Sequence, residues 1–570
     1  MCTTITIAAQ PTPADATDAL LRVRGWVREG RVTAGGGAGS TELAAVTLRL
    51  DGRVIGRADE SGDAPLVTAT AAALRRARET AARGEVGLLA ENAWTDVRPR
   101  IRVAIELADE LIPLTADEIE IAEAARTAGF AGLVVRPGLE GVAARQGERV
   151  LWRSAGWLRD RGLSPGAAMA TLAGQLADDP SLGIRPLPDL VGQGFTFFRV
   201  PTVEIADIGT PPVPTFLHRG GTVVPSDLGR AGILEAGSAI VQHLERRRWP
   251  GVEHYGLRGT YDAGDDAYSP LFASAFEQGI AIAALKRWGE VANDAGARRL
   301  AELLIEDLTQ IEPEENDPAM DAPSAAAAVL AGIEGDMLDR AAATLANAFD
   351  GTALADTLPR GAQGLVAHAL VRLAARGRIE TSLAASAVSA VYRDTLIDTL
   401  VSQMPFLLWA SVELTELEDG PVAAAAVLAE LRAVIDVHRL TRQDLVEQDR
   451  DLAGAVVFTR SRSPLPTWQS VRAAAVTATM LGEPSLTPTS DAGELAGRIV
   501  DQLAADRFLV QLQTRDAEAH AAARADMALG GVRSALWTDR MPVLPSALVL
   551  WSFAETIESL DAVSEALRRP

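Results

Sequence analysis

The sequence predicts two domains of different class: an α+β domain over residues 1–205 and an all-α domain over 225–570, joined by a Pro-rich linker at 206–224. Three observations carry this. Short alternating runs mixed with helical ones fill the first third of the chain. Five prolines (201, 211, 212, 214 and 225) and Gly220-Gly221 then interrupt it, and proline neither donates to a ladder nor continues a helix. Beyond them, Ala/Leu-rich segments recur at helical spacing and strand signals nearly vanish.

Taken in order, the first twenty residues read as a tail. AAVTLRLDGRVIGRA (44–58) alternates about Asp51-Gly52, the signature of a hairpin. LVTATAAALRRARETAA (66–82) follows as a helix and IRVAIELADELIPL (101–114) as a strand. AGLVVRPGLEGVAARQ (131–146) reads as a strand pair, SPGAAMATLAGQLA (164–177) as a helix, and FTFFRVPTVEI (195–205) as the closing strand. In the second domain the helical runs include 233–247, 273–288, 296–311, 423–440, 494–513 and 547–560. Paired helices over this length form a large bundle, a solenoid or a closed double ring.

An internal repeat helps to choose. Gly259 leads through a polar loop to Pro270 and a helix; Gly454 leads to Pro464, and Gly530-Gly531 to Pro542, in the same way. A fainter copy runs from Gly351 through Pro359. FLVQLQ (508–513), followed by LGGVRSALW (529–537) and a small-residue helix, resembles the repeat of terpenoid-cyclase and prenyltransferase-type α/α toroids. A six-hairpin glycosidase or polysaccharide-lyase ring is similar at this level. The resemblance implies an α/α toroid over 225–570, and fold alone brings no function with it.

The N-terminal region, 44–205, resembles AMMECR1-like domains in the order of its elements. That family carries a Leu-Arg-Gly-Cys-Ile-Gly motif on a hairpin. Here the equivalent stretch is Gly52-Arg53-Val54-Ile55-Gly56-Arg57, without the cysteine, so the resemblance implies a structural or binding role there.

Composition removes many functions. The formal charge of −22, with no basic block longer than Arg246–Arg248, argues against a nucleic-acid partner. Lys286 is the only lysine and follows no glycine-rich loop, which sets aside P-loop and Schiff-base chemistry. Cys2 is the only cysteine, so an intramolecular disulfide and a multi-cysteine metal site are excluded. The histidines show no metal-ligand spacing, and no cofactor or metal is expected. With no signal-peptide pattern and no window of eighteen apolar residues, the expectation is a cytoplasmic protein without membrane insertion.

The densest chemistry lies in EHYGLRGTYDAGDDAYSP (253–270), which holds three of the four tyrosines. Its candidate catalytic groups are Asp262, Asp265, Asp266, Tyr261 and His254; clustered carboxylates raise one another's pKa, as a general acid requires. The spacing fails as a calcium loop, as Asp-x-Asp-Asp and as Asp-Asp-x-x-Asp. Candidate binding groups are Tyr255, Arg258 and Tyr268 here, Arg460, Arg462 and Trp468 in the second loop, and Arg533, Trp537 and Asp539 in the third. Rim loops of a helical ring face one end of its cavity, where these groups would form an acidic, arginine-lined, aromatic pocket. Two readings remain open: an enzyme acting on a carbohydrate or similar polar or acidic compound, with a small-molecule or glycan ligand; or a non-catalytic binding or scaffold protein with a protein partner. A degenerate terpenoid-cyclase-like protein stands third.

Overall fold

The computed structural model describes residues 11–33, 41–83, 91–128, 134–225, 228–310, 320–418, 422, 424–457, 465–487 and 491–568. Of the first twenty residues, expected to be a tail, 1–10 lie outside the described residues and 13–20 are helix. Thr12 and Asp15 form a reciprocal capping box, Pro13 occupies the first turn, and α1 (Pro13–Glu29) buries Leu20, Val23 and Trp26.

Two antiparallel sheets follow. One has the order β2-β1-β3-β8-β9, from Arg53–Ser61 (β2), Leu43–Leu50 (β1), Arg102–Ala108 (β3), Val203–Ile208 (β8) and Val213–Leu217 (β9). The other has the order β4-β7-β5-β6, from Ile112–Pro113 (β4), Phe195–Pro201 (β7), Glu140–Gln146 (β5) and Arg149–Arg153 (β6). Helices α1 and α2 (Pro65–Ala82) cover the outer face of the first sheet. Helices α3 (Ala116–Ala128) and α5 (Pro165–Leu176) cover the second, and the short α4 (Ala155–Arg161) follows β6. Leu43, Ala45, Trp152, Phe198 and Val200 pack between the sheets. Every residue of β1 is buried because both of its faces are covered, which weakens the alternation expected of a half-exposed strand.

Residues 206–208 and 213–217, expected within a linker, are strand joined by a turn: β9 pairs with β8 from Val213 to Leu217. Pro214 is tolerated because β9 is an edge strand, with no ladder partner on its far side. The next residues are clamped to the second domain: Arg219, fully buried, donates to Asp449 and Asp451 at 2.7 Å each and to the Pro137 carbonyl oxygen. The strand pair expected over 131–146 reduces to β5 at its end; 129–133 lie outside the described residues.

The second domain is a closed α/α toroid. Outer helices α6 (Arg230–Arg247), α8 (Ala295–Gln310), α10 (Gly335–Ala348), α12 (Thr381–Asp394), α14 (Ala425–His438) and α16 (Ala492–Leu512) alternate along the chain with inner ones. The inner helices are α7 (Ala275–Val291), α9 (Ala322–Ala331), α11 (Gln363–Ala375), α13 (Phe406–Glu418), α15 (Ser470–Gly482) and α17 (Val543–Arg568). Each inner helix packs on the next, and α17 returns to α7 to close the ring. Outer helices bury one stripe, whereas inner ones are buried almost all round; alanines 325–328 of α9 let neighbouring backbones approach. Trp409 and Trp551 stack at 4.2 Å in the core, flanked by Phe406 and His368. Among the described residues, α17 alone is long and apolar enough to cross a membrane, yet 83 % of its apolar window is buried inside the ring, as befits a core helix.

The repeat is visible in the backbone. After each of four outer helices the chain makes one antiparallel bridge before entering an inner helix: Arg248 with Leu257, Phe349 with Leu354, Arg439 with Val456, and Gln513 with Val532. Inner helices α7, α11, α15 and α17 are each entered through such a bridged loop, at the rim where the long loops gather.

The two domains meet at that rim. Asp51 and Gly52 turn the β1–β2 hairpin with φ of 49° and 86°, and its tip presses on the toroid segment 521–523. A Cβ on Gly52 would stand 1.9 Å from the Ala522 carbonyl oxygen, and Arg49 donates to Ala521. Gly52→Ala is expected to force the hairpin off the toroid and lower the apparent melting temperature of the whole chain. An unchanged melting curve would show that the contact is not needed.

Candidate functional site

The sheet register sets up the site. Asp59, Ala45, Glu106 and Glu204 are directly opposite one another across β2, β1, β3 and β8, so their side chains share the face turned toward the second sheet. Arg57 lies opposite Thr47 in the next row, and Arg49 one row further. Toward the toroid this face therefore changes from apolar to charged.

Helix α4 supplies the counter-charges. Asp160 accepts from Arg49 at 2.9 Å and from Arg57 at 2.7 Å. Arg159 approaches Glu204 at 3.5 Å and, across the domain boundary, Asp539 at 3.9 Å. Burial pushes Asp160 up, but Arg49, Arg57 and Arg159 outweigh it and hold the carboxyl at about 2. Glu106 goes the other way: burial and the facing Glu204 push it up to about 7, although Arg57 and the Gly156 N–H oppose them. Burial also raises Asp539, with Asp160 adding to it and Arg159 opposing, and lowers His520 to about 4.

Above these charges opens a cleft of about 1160 Å³ between the α+β domain and the toroid rim. Among the described residues, nine arginines and six carboxylate side chains line it. The N-terminal wall is strand β2 with parts of α2 and α4, and it includes residues 53–57 of the Gly52–Arg57 stretch. The opposite wall is built from two rim loops. Strands β10 (Tyr261–Asp262), β11 (Ala267–Tyr268) and β12 (Arg540–Met541) form a small sheet of order β11-β10-β12, so the first and third repeat loops are joined edge to edge.

That pairing brings Asp262, Asp265 and Asp539 to the cleft. Asp262 Oδ1 accepts the backbone N–H of Gly264 and of Asp265, holding the loop in a tight turn. Asp539 Oδ2 is buried without a hydrogen-bond partner. A Cβ on Gly264 would lie 3.5 Å from Asp262 Oδ1 and 4.0 Å from Asp539 Oδ2, so the two carboxylates approach a common point.

The other expected groups lie elsewhere. Tyr261 is fully buried, stacks on Tyr268 and donates to Asp266; burial and Asp266 raise its phenol far above the ordinary value, so it stays a donor. Asp266 also meets Arg53 at 3.7 Å. His254 contacts Asp307, which Arg248 holds with two hydrogen bonds. Tyr255 packs with Trp249 and Phe272, and Arg258 donates to the Arg246 carbonyl oxygen while covering the Tyr268 ring. Arg533 is buried and donates to the carbonyl oxygens of Gln511, Leu512 and Leu536. Trp468 and Trp537 are half-buried against the toroid core. Arg460 and Arg462 lie outside the described residues, and the neighbouring Asp449 and Asp451 are engaged by Arg219. Among the described residues no group of three or more His, Cys, Asp or Glu is placed to hold a metal.

Sequence reasoning missed Arg49, Arg57, Glu106, Arg159, Asp160 and Glu204. The one available signal was register: in β3, Val103, Ile105 and Leu107 join the core under α1 and α2, leaving Glu106 on the opposite face among alanines.

No family model matches the chain, and no curated protein matches it. Among solved structures, it is similar to an uncharacterised protein from Pyrococcus horikoshii, at 10 % identity and a TM-score of 0.23, over 36 % of this chain and 94 % of that one. It is also similar to a family 76 glycoside hydrolase from a bovine Bacteroides thetaiotaomicron strain, at 9 % identity and a TM-score of 0.35, over 81 % of this chain and 96 % of that one.

Proposed function

We propose that the interdomain cleft is a substrate site for a polar, acidic organic compound of carbohydrate type, with Asp539 as proton donor and Asp262 as the carboxylate facing it. The observation that carries this reading is the approach of Asp262 and Asp539 to one point, on the wall of a cleft large enough for a sugar-sized ligand. Acid–base work on a hydroxyl-bearing compound needs a proton donor and a carboxylate facing it across the ligand. Asp539 is buried beside Asp160, which favours its protonated form; Asp262 is bound to backbone N–H groups at the cleft edge. Asp265, exposed beside them, offers a further acceptor for ligand hydroxyls. Tyr261, Asp266 and His254 serve this site by shaping its loops rather than by touching the ligand.

Gly264 gives a test that leaves every charge in place. Its Cβ position has only ordinary contacts, so Gly264→Leu is expected to fold and to place its side chain between Asp262 and Asp539. A thermal-shift screen against neutral sugars, uronates and sugar phosphates is expected to find ligands that stabilise the native chain and no longer stabilise Gly264→Leu. Ligands that protect both proteins equally would place the site outside this cleft.

A further inference from the structure

We propose that the N-terminal wall of the cleft is an anion subsite, so that the ligand carries a carboxylate or phosphate held by Arg153, Arg161 and Arg76; this deepens the proposed function and rests on its reading of the cleft. Two guanidiniums lie over the ring of Trp157 of α4, Arg153 at 5.4 Å and Arg161 at 6.0 Å from its centroid. The indole thus helps to hold both arginines in place. Both arginines line the cleft together with Arg76.

Their donors are only partly used. Arg153 donates to Gln175 and to the Trp152 carbonyl oxygen, and comes no nearer than 3.9 Å to Asp59. Arg76 donates to the Arg57 carbonyl oxygen. A guanidinium has five N–H donors in a rigid fork, so this wall keeps open pairs of the geometry that oxyanions take. Like charge is also crowded here: burial lowers the Arg153 pKa, and Arg76 and Arg57 lower it further against Asp59. An oxyanion relieves that repulsion.

The placement is a local exception in a chain of formal charge −22, where anions are otherwise repelled. Among the described residues, the toroid wall carries Asp262, Asp265 and Asp539, with Arg540 as the one cation. A ligand with an anionic group at one end and hydroxyls at the other is thereby oriented, anion toward the α+β domain and hydroxyls toward the carboxylates.

The test is calorimetric titration of the full chain with glucose, glucuronate, glucose 6-phosphate and inorganic phosphate, at low and high salt. The wild type is compared with the Arg76→Gln/Arg161→Gln double variant; both positions are exposed, so the fold is expected to survive, as melting curves would verify. Binding of glucuronate or glucose 6-phosphate is expected to exceed that of glucose and to weaken with salt. The double variant should lose about tenfold or more for the anionic ligands and little for glucose. The preferred anion distinguishes carboxylate from phosphate. Glucose binding as tightly as its anionic counterparts, or a double variant with unchanged anion affinity, would overturn the subsite and leave the cleft reading standing. Arginine-dependent binding of inorganic phosphate alone would keep the subsite and remove the carbohydrate reading. Binding by none of the four would remove both.

Discussion

Asp539→Asn is expected to reduce turnover of a cleft ligand by about 10²–10⁴-fold while leaving its binding within a few-fold of wild type. The amide keeps the shape of the carboxyl and cannot deliver a proton. Folding should tolerate the change. Among the described residues, the one ion pair of Asp539 Oδ2 is with Arg159 at 3.9 Å, with Arg533 and Arg49 acting at longer range, and Arg159 keeps Asp160 and Glu204 as partners. Burial disfavours the ionised form of Asp539, so removing that charge relieves the site rather than leaving a partner stranded. Wild-type turnover should also fall as pH rises through the elevated value of Asp539, because the protonated donor disappears. Asp265→Asn, at an exposed position, is expected to weaken binding modestly and to keep turnover within tenfold or so. Undiminished turnover in Asp539→Asn would show that the proton comes from another group. Binding without turnover in the wild type would favour a non-catalytic binding protein.

The toroid was legible in the sequence because its determinants are local. Helical periodicity is written within each segment, and the glycine-to-proline loops mark where each inner helix begins. The first and third of those loops do share a sheet, which placed Asp262, Asp265 and Asp539 together. The rest of the expected cluster shows why spacing alone misleads. Tyr261 and Asp266 are five residues apart and satisfy each other, while His254 is turned away to Asp307 on α8. The larger part of the site could not be read, because it comes from pairing at long range. Glu106 meets Glu204 only through the β3–β8 register, and Arg49 meets Asp160 only through the stacking of two sheets. Neither partnership leaves a local pattern. Part of the Pro-rich stretch forms a strand for a related reason: an edge strand accepts proline, so the same residues that break a local pattern can still close a sheet.

Burial among long-range partners also gives a large stability effect in the toroid itself. Asp506 of α16 is fully buried against α17, where the Gln502 amide and the Thr556 hydroxyl donate to it. Burial raises its carboxyl from 3.8 to about 7; the two hydrogen bonds and Arg439 oppose this without cancelling it. The folded value lies above the unfolded one, so Asp506 contributes most below the unfolded value, and that contribution is lost as pH rises through the folded one. Over the interval from 3.8 to about 7 the loss is on the order of 4 kcal/mol. Asp506→Asn removes the titration: the amide oxygen accepts from Gln502 and Thr556 at every pH. The melting temperature of the variant should therefore match or fall slightly below wild type near about pH 4 and exceed it by several degrees near about pH 8. The difference between the two curves isolates this residue from others that titrate in the same range. Glu106 acts in the same sense over 4.5 to about 7, whereas His520 acts oppositely, its stabilisation being lost as pH falls from 6.5 to about 4. Both contributions are common to the two proteins and cancel in the subtraction. A variant-minus-wild-type difference that stays constant from about pH 4 to about pH 8 would mean that Asp506 titrates alike in the folded and unfolded chain, and that the Gln502–Asp506–Thr556 contacts compensate its burial in full.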